Sequence, residues 1–117
     1  MLLLTPEIFG RTLADATRLR MLVLLRAHEE LCVCELTEAL ALPQPKISRH
    51  LAILREAEML LDRRSGLWIY YRLHPDLPAW AMDAVTAVTR GCIGKQPYEQ
   101  DKDRLAHLSL RPTGSCS

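Results

Sequence analysis

Apolar side chains recur along most of this chain at helical intervals of three and four, and switch once, past the middle, to the alternation of strands. Thr5-Pro6-Glu7 supplies an N-cap, a first-turn proline and a first-turn carboxylate, and predicts a short helix to about Leu13. Asp15 or Thr17 opens a second helix, whose Leu19, Leu22, Val23 and Leu25 trace a broad apolar face ending by His28. A third runs from about Cys34 to Leu40, burying Leu36, Ala39 and Leu40, and Ala41-Leu42-Pro43 breaks it. Gln44-Pro45 opens a fourth that ends near Ala57. Its Ile47, Leu51, Ile53 and Leu54 keep helical spacing, while Lys46, Ser48, Arg49 and His50 crowd its first two turns.

The period then changes. Leu60 to Arg64 and Leu67 to Leu73 read as two short strands flanking a Ser65-Gly66 turn, with Leu67, Ile69, Tyr71 and Leu73 on one face and Trp68, Tyr70 and Arg72 on the other. Pro78 to Thr89 is a last clear helix with Trp80, Ala81, Ala84, Val85 and Val88 as its apolar stripe. Past Gly91 the chain turns polar. A weak helix over Asp101–Leu110 precedes a frayed end at Pro112 to Ser115. The order is four helices, a hairpin and a helix. A short helix, a tight break and a second helix with polar first turns, backed by a hairpin, predicts a mainly α fold with a small β-hairpin, a winged helix-turn-helix. Residues 1–90 are expected to form the DNA-binding and dimerisation domain, and 91–117 a partly disordered C-terminal tail.

Bulk charge says little about partners, since the net is +1 over 117 residues. Its distribution says more: Pro43 to Leu73 holds six basic residues against three acidic ones, leaving the remainder slightly acidic. Leu2-Leu3-Leu4 is too short for a signal core, and no run approaches the roughly 20 apolar residues of a membrane span. The expected setting is therefore cytoplasmic, where Cys32, Cys34, Cys92 and Cys116 read as thiols or metal ligands before disulfides.

The basic region carries the first function. In a helix-turn-helix the N-terminal turns of the second helix enter the major groove, so they need flexible donors outside and aliphatics inside. Gln44, Lys46, Ser48, Arg49 and His50 meet the first need; Ile47, Leu51 and Leu54 meet the second. Gln44 suits adenine and Arg49 guanine, while Lys46 and Ser48 suit bases or phosphate. Arg63, Arg64 and Tyr70 on the wing would take backbone or minor-groove contacts. A solvated amphipathic helix carries similar charges; the hairpin and the Leu42-Pro43 break favour duplex DNA.

The run Gln44-Pro45-Lys46-Ile47-Ser48-Arg49-His50-Leu51-Ala52-Ile53-Leu54-Arg55-Glu56 resembles the recognition helix of the arsenical-resistance-operon repressors in the ArsR/SmtB family. Asp15-Ala16-Thr17-Arg18-Leu19-Arg20 resembles the opening of their second helix, and Leu61-Asp62-Arg63-Arg64 with Gly66-Leu67-Trp68 and Tyr71-Arg72-Leu73 their wing. The likeness runs from about Leu4 to Trp80 and fades beyond Gly91. It implies repression of an operon and a homodimer joined through the first and last helices, here Ile8, Phe9, Trp80, Val85 and Val88.

Cys32-Val33-Cys34 is similar to the cysteine pair these repressors carry at the start of the third helix, which implies arsenite or antimonite as inducer, with Cys32 and Cys34 as ligands. Thiols near a helix N-terminus are favoured as thiolates, the form that takes soft ions. Helical residues two apart point about 200° away from each other, so two such sulfurs meet on one atom only if the helix start is extended or unwound. Ligand binding would then pull the helix start out of shape and spoil the DNA-competent geometry. Such repressors place a third cysteine one turn on, where this chain has Thr37. A third ligand could be Cys92, Cys116, a small cellular thiol or none, and two thiols alone would suit a mono-organic arsenical.

Other chemistry is less well supplied. The last helix holds Asp83 but no histidine for a zinc-sensing pair, and Cys32, Cys34 and His28 lack a fourth zinc ligand nearby. His74 and His107 fall in loop and tail. A thiol-based redox or reactive-sulfur sensor of the same fold is the alternative, although a disulfide between residues two apart is strained. A winged helix serving protein contacts alone would show no salt-dependent duplex binding. No phosphate loop, paired acids or Cys/His nucleophile pattern points to an enzyme.

Overall fold

The computed structural model describes residues 4–108. Its elements are α1 (Pro6–Leu13), α2 (Ala16–Ala27), β1 (Leu31–Cys32), α3 (Val33–Leu40), α4 (Gln44–Glu56), β2 (Leu60–Ser65), β3 (Trp68–Leu73), α5 (Ala79–Arg90) and α6 (Tyr98–Leu108). Side-chain caps start the first two helices: Thr5 Oγ1 accepts from the Ile8 amide at 3.1 Å, and Asp15 Oδ1 from the Arg18 amide at 3.0 Å. Helix α2 is the hub. Met21, Leu22, Val23, Leu24 and Leu25 are all buried, because α4, α5, α6 and β3 surround it. Leu36, Leu40, Ile47, Leu51 and Leu54 join them, placing α3 and α4 as the helix-turn-helix over one apolar core. Ala41 makes the turn with φ 54°, a left-handed conformation unusual for a residue with a Cβ.

The hairpin is part of a larger sheet. β1 adds to it in the order β1-β3-β2, all antiparallel, with Leu31 opposite Tyr71 and Cys32 opposite Tyr70. The register of β2 with β3 pairs Ser65 with Trp68, so Gly66-Leu67 is the turn, one residue later than the expected Ser65-Gly66. Gly66 supplies the positive φ of 61° that the first turn position needs. Leu67 therefore leaves the apolar strand face expected for it and stands 95% exposed at the wing tip.

After Gly91 the structure places a helix where a weak one was expected, starting earlier at Tyr98, and this helix, Tyr98–Leu108, docks on α3 instead of standing outside the folded domain. Leu105 enters the common core and Asp101 is 1% exposed, so the folded domain extends beyond residue 90. Asp101 explains the docking. Its carboxylate accepts from Arg20 Nε and Nη2, both at 2.8 Å, and from Arg104 Nη2 at 3.0 Å. The same guanidiniums cap α3: Arg20 Nη2 donates to the Leu40 carbonyl at 2.8 Å and Arg104 Nε to the Ala39 carbonyl at 2.7 Å. Pro112 to Ser115, Leu110 and Cys116 lie outside the described residues.

Candidate nucleic-acid interface and thiol site

Helix α4 has Pro43 as its N-cap with no side-chain cap; the Lys46 and Ile47 amides donate to the Pro43 carbonyl at 3.1 and 3.2 Å and Pro45 has no N–H, so the Gln44 amide is the first-turn donor outside these bonds. Around that end Gln44, Ser48 and Arg49 are exposed and Lys46 is half-buried, beside buried Ile47. His50 does not belong to this face. It is 5% exposed, and its Nδ1 accepts from Arg18 Nη1 at 3.1 Å, while Arg18 Nε donates to the Thr12 carbonyl at 2.6 Å. Burial is the main cause that lowers its pKa from the ordinary value; nearby Asp15 opposes this, and Arg18 reinforces it. His50 thus pins the recognition helix to the α1–α2 junction. The spacing Ile47, His50, Leu51, Leu54 already contained that placement, since these positions share one helix face.

On the wing, Arg63 and Arg64 are exposed and Tyr70 is half-buried. Arg63 and Tyr70 meet, with the guanidinium 4.7 Å above the ring centroid. Arg63 also grips Glu30, just before β1: Nε donates to Oε2 at 3.0 Å and Nη2 to Oε1. That ion pair holds the Glu30 carboxyl below its ordinary range. No sequence pattern pointed to Glu30, because its partner is 33 residues away.

The two cysteines lie where β1 passes into α3, and Cys34 is disulfide-bonded in this structure rather than the thiol expected of it. Cys32 is the N-cap of α3 in extended backbone (φ −87°, ψ 165°), and Cys34, half-buried, sits in the first helical turn. The helix start is therefore non-helical at its first cysteine. Glu35 completes a capping box, its Oε1 accepting from the Cys32 amide at 2.9 Å. Burial pushes the Cys32 thiol above its ordinary pKa, reinforced by the Glu35 carboxylate and opposed by the Glu35 amide. The helix-terminus effect expected to ionise this thiol is thus outweighed by desolvation. Thr37, in place of a third cysteine, spends its hydroxyl on the Val33 carbonyl at 2.8 Å. Cys92 is buried at the α5 terminus, with Sγ on the Val88 carbonyl at 3.5 Å. Among the described residues no group of three or more His, Cys, Asp or Glu side chains could hold a metal ion, so Cys92 does not complete a site with Cys32 and Cys34 there.

Of the expected dimer residues, Trp80 is 41% exposed and stacks edge-to-face on Phe9 with centroids 5.4 Å apart. Val85, 0% exposed, and Phe9, 6% exposed, are instead consumed within the protomer core. No helix among the described residues is long and apolar enough to cross a membrane.

Comparison with known proteins gives the same reading of the fold. Residues 15–60, which span α2 to the start of the wing, match the model of the bacterial regulatory protein, arsR family. The arsenic resistance transcriptional regulator ArsR1 of Pseudomonas putida KT2440 is 53% identical over 94% of this chain and 84% of its own length. The arsenical resistance operon repressor of Escherichia coli K12 is 52% identical over 74% of each chain. Among solved structures, the AntR antimony-specific transcriptional repressor superposes with a TM-score of 0.61 and 26% identity, covering 74% of this chain and 80% of that one. The identity over nearly the whole length, on a winged helix-turn-helix with this recognition helix, places the chain in the arsR family of DNA-binding transcriptional regulators.

Proposed function

We propose that this chain is a metalloid-responsive repressor, binding operator duplex as a homodimer and released when trivalent arsenic or antimony engages Cys32 and Cys34. The carrying observation is the extended N-cap at Cys32, two residues before Cys34, at the start of the helix that supports α4. The names of the relatives, two arsenical and one antimony-specific, favour the same ligand class. Gln44, Lys46, Ser48 and Arg49 read the major groove; Arg63, Arg64 and Tyr70 serve the flanking backbone; α1 and α5 meet their copies around Trp80. The setting is the cytoplasm, where thiols stay reduced.

The chemistry suits a protonated thiol. Each cysteine forms a sulfur–arsenic bond as an arsenic–hydroxyl bond breaks, and the thiol proton leaves with that hydroxide as water. No proton is released to solvent, so a raised thiol pKa costs nothing at equilibrium. A zinc ion must instead displace the proton, and burial of Cys32 penalises it. With Cys92 engaged at the end of α5, Cys116 is the remaining cysteine of the chain for a third bond.

Fluorescence anisotropy of a labelled operator duplex tests this reading, using reduced protein titrated with arsenite beside a Cys32→Ser/Cys34→Ser variant. Release of the wild type alone is expected; Cys116→Ser should weaken the response and Cys92→Ser leave it unchanged. Equal persistence of both on the duplex refutes the metalloid trigger, and release by peroxide or polysulfide instead would favour a redox trigger.

A further inference from the structure

Where the ends of α2 and α5 meet the side of α6, the chain encloses a cavity of about 280 Å³ away from the recognition helix and the cysteines. Arg26 and Arg90, each in the last turn of its helix, line it, and neither enters an ion pair among the described residues. Arg26 is nonetheless placed, for its Nε donates to Thr86 Oγ1 at 3.1 Å. The Thr86 hydroxyl accepts that bond and keeps its own proton to donate. Lys102 adds a third cation from α6; its partner Glu99 is shared with the Gly94 amide, at 3.1 and 3.0 Å respectively. Three cations therefore border the cavity against one carboxylate that is already engaged. The rest of the wall is apolar. Val23 is buried at the base, and Ile93 stands at the rim 64% exposed.

We infer that this cavity binds a small organic anion, its phosphate, sulfonate or carboxylate group between Arg26 and Arg90 and its apolar body against Val23 and Ile93. A few convergent polar groups on an apolar wall are what sites for small organic ligands share, and such sites begin at roughly 300 Å³. Guanidiniums suit oxyanions because their planar fork donates two parallel bonds. A bare inorganic anion would leave the apolar wall wet, and a neutral apolar molecule would leave two guanidiniums to be desolvated without a counter-charge. The site is also open in the dimer proposed above. Counting round α5 at 3.6 residues per turn, Thr89 stands about 180° from Trp80, and Thr86 and Arg90 about 160° from Val88. The inference needs neither the cysteines nor the metalloid reading.

Proton–nitrogen correlation spectra of the full-length protein, titrated with phenyl phosphate, test this; inorganic phosphate and phenol supply the charge and the ring separately. Saturable shifts are expected in residues 23–27, 86–93 and 102, with phenyl phosphate bound roughly tenfold or more tightly than either fragment. Arg26→Gln/Arg90→Gln, at two exposed positions, should weaken phenyl phosphate about tenfold or more while the thermal midpoint stays put. Ile93→Ser should weaken phenyl phosphate and leave inorganic phosphate as it was. Shifts confined to 44–49 and 63–64 would mean that the phosphate is read by the duplex-binding face, and would overturn the inference. Inorganic phosphate binding as tightly as phenyl phosphate overturns it as well, as does equal binding by the double arginine variant. So does the absence of any saturable shift up to about 10 mM phenyl phosphate.

Discussion

Replacing Asp101 by asparagine keeps the shape of the side chain and removes its charge from between two guanidiniums. Arg20, whose side chain is 15% exposed, would be left facing a neutral amide while still bonded to the Leu40 carbonyl. Losing one member of a buried pair costs on the order of 3–5 kcal/mol; partial exposure of Arg104, at 32%, puts this site near the lower limit, about 3 kcal/mol. For a domain of this size that corresponds to a fall in thermal midpoint on the order of 10–20 °C. Urea unfolding followed by far-ultraviolet circular dichroism measures it, at matched protomer concentration because association adds apparent stability. Glu99→Gln is the control: Glu99 Oε2 accepts from the Gly94 amide at 3.0 Å and from Lys102 at 3.1 Å at a solvent-accessible site, the glutamine oxygen can keep the amide bond, and the loss should stay below about 1 kcal/mol. A loss below about 1 kcal/mol for Asp101→Asn would refute the reasoning, for it would mean that α6 is not clamped onto α3 by buried charge.

Three further outcomes follow from the same geometry. His50 is held neutral, its pKa lowered chiefly by burial, so the unfolded chain binds the proton more readily. Its stabilising contribution is complete above the ordinary value of 6.5 and fades as pH falls through the lowered one. Operator affinity and stability should therefore both decline on acidification from pH 7 towards 5, and His50→Gln should flatten the decline; an unchanged profile contradicts the Arg18–His50 contact. Arg49→Ala should cost about 1–3 kcal/mol and relax base preference at one position, whereas Arg64→Ala should weaken all duplexes alike and reduce the salt slope by about 1. Arsenite occupancy should be nearly independent of pH between 6 and 8, because thiol protons leave as water, while zinc binding to the same protein should fall steeply with acidity; parallel pH profiles for the two contradict the protonated state of Cys32.

Much of this architecture is written in local pattern. Thr5-Pro6, Asp15 and Gln44-Pro45 mark helix starts by capping chemistry and proline, and the α2, α3 and α4 stripes identify their buried faces. What escaped depends on contacts far apart in sequence. β1 has only two residues and exists because β3 pairs with it, so no periodicity could reveal it. α6 carries a weak apolar stripe, and its docking comes from Asp101 meeting Arg20, 81 residues away. His50 was legible from spacing yet read as a DNA contact, because a basic neighbourhood outweighed its place at i+3 from Ile47. At the thiols, the extended start could be deduced from helix geometry, whereas the raised pKa of Cys32 needed burial that only the folded chain supplies.

The most direct test is thermodynamic linkage between thiols and operator. Arsenite is titrated into the reduced dimer, free and then saturated with operator duplex, in the wild type and in Cys32→Ser/Cys34→Ser. If occupancy of these cysteines releases DNA, duplex must weaken arsenite binding by the same factor by which arsenite weakens duplex binding, of the order of 5–150-fold for ordinary allosteric coupling. The expected result is that equality in the wild type and no high-affinity arsenite site in the variant. Equal arsenite affinity with and without duplex would contradict release by these thiols.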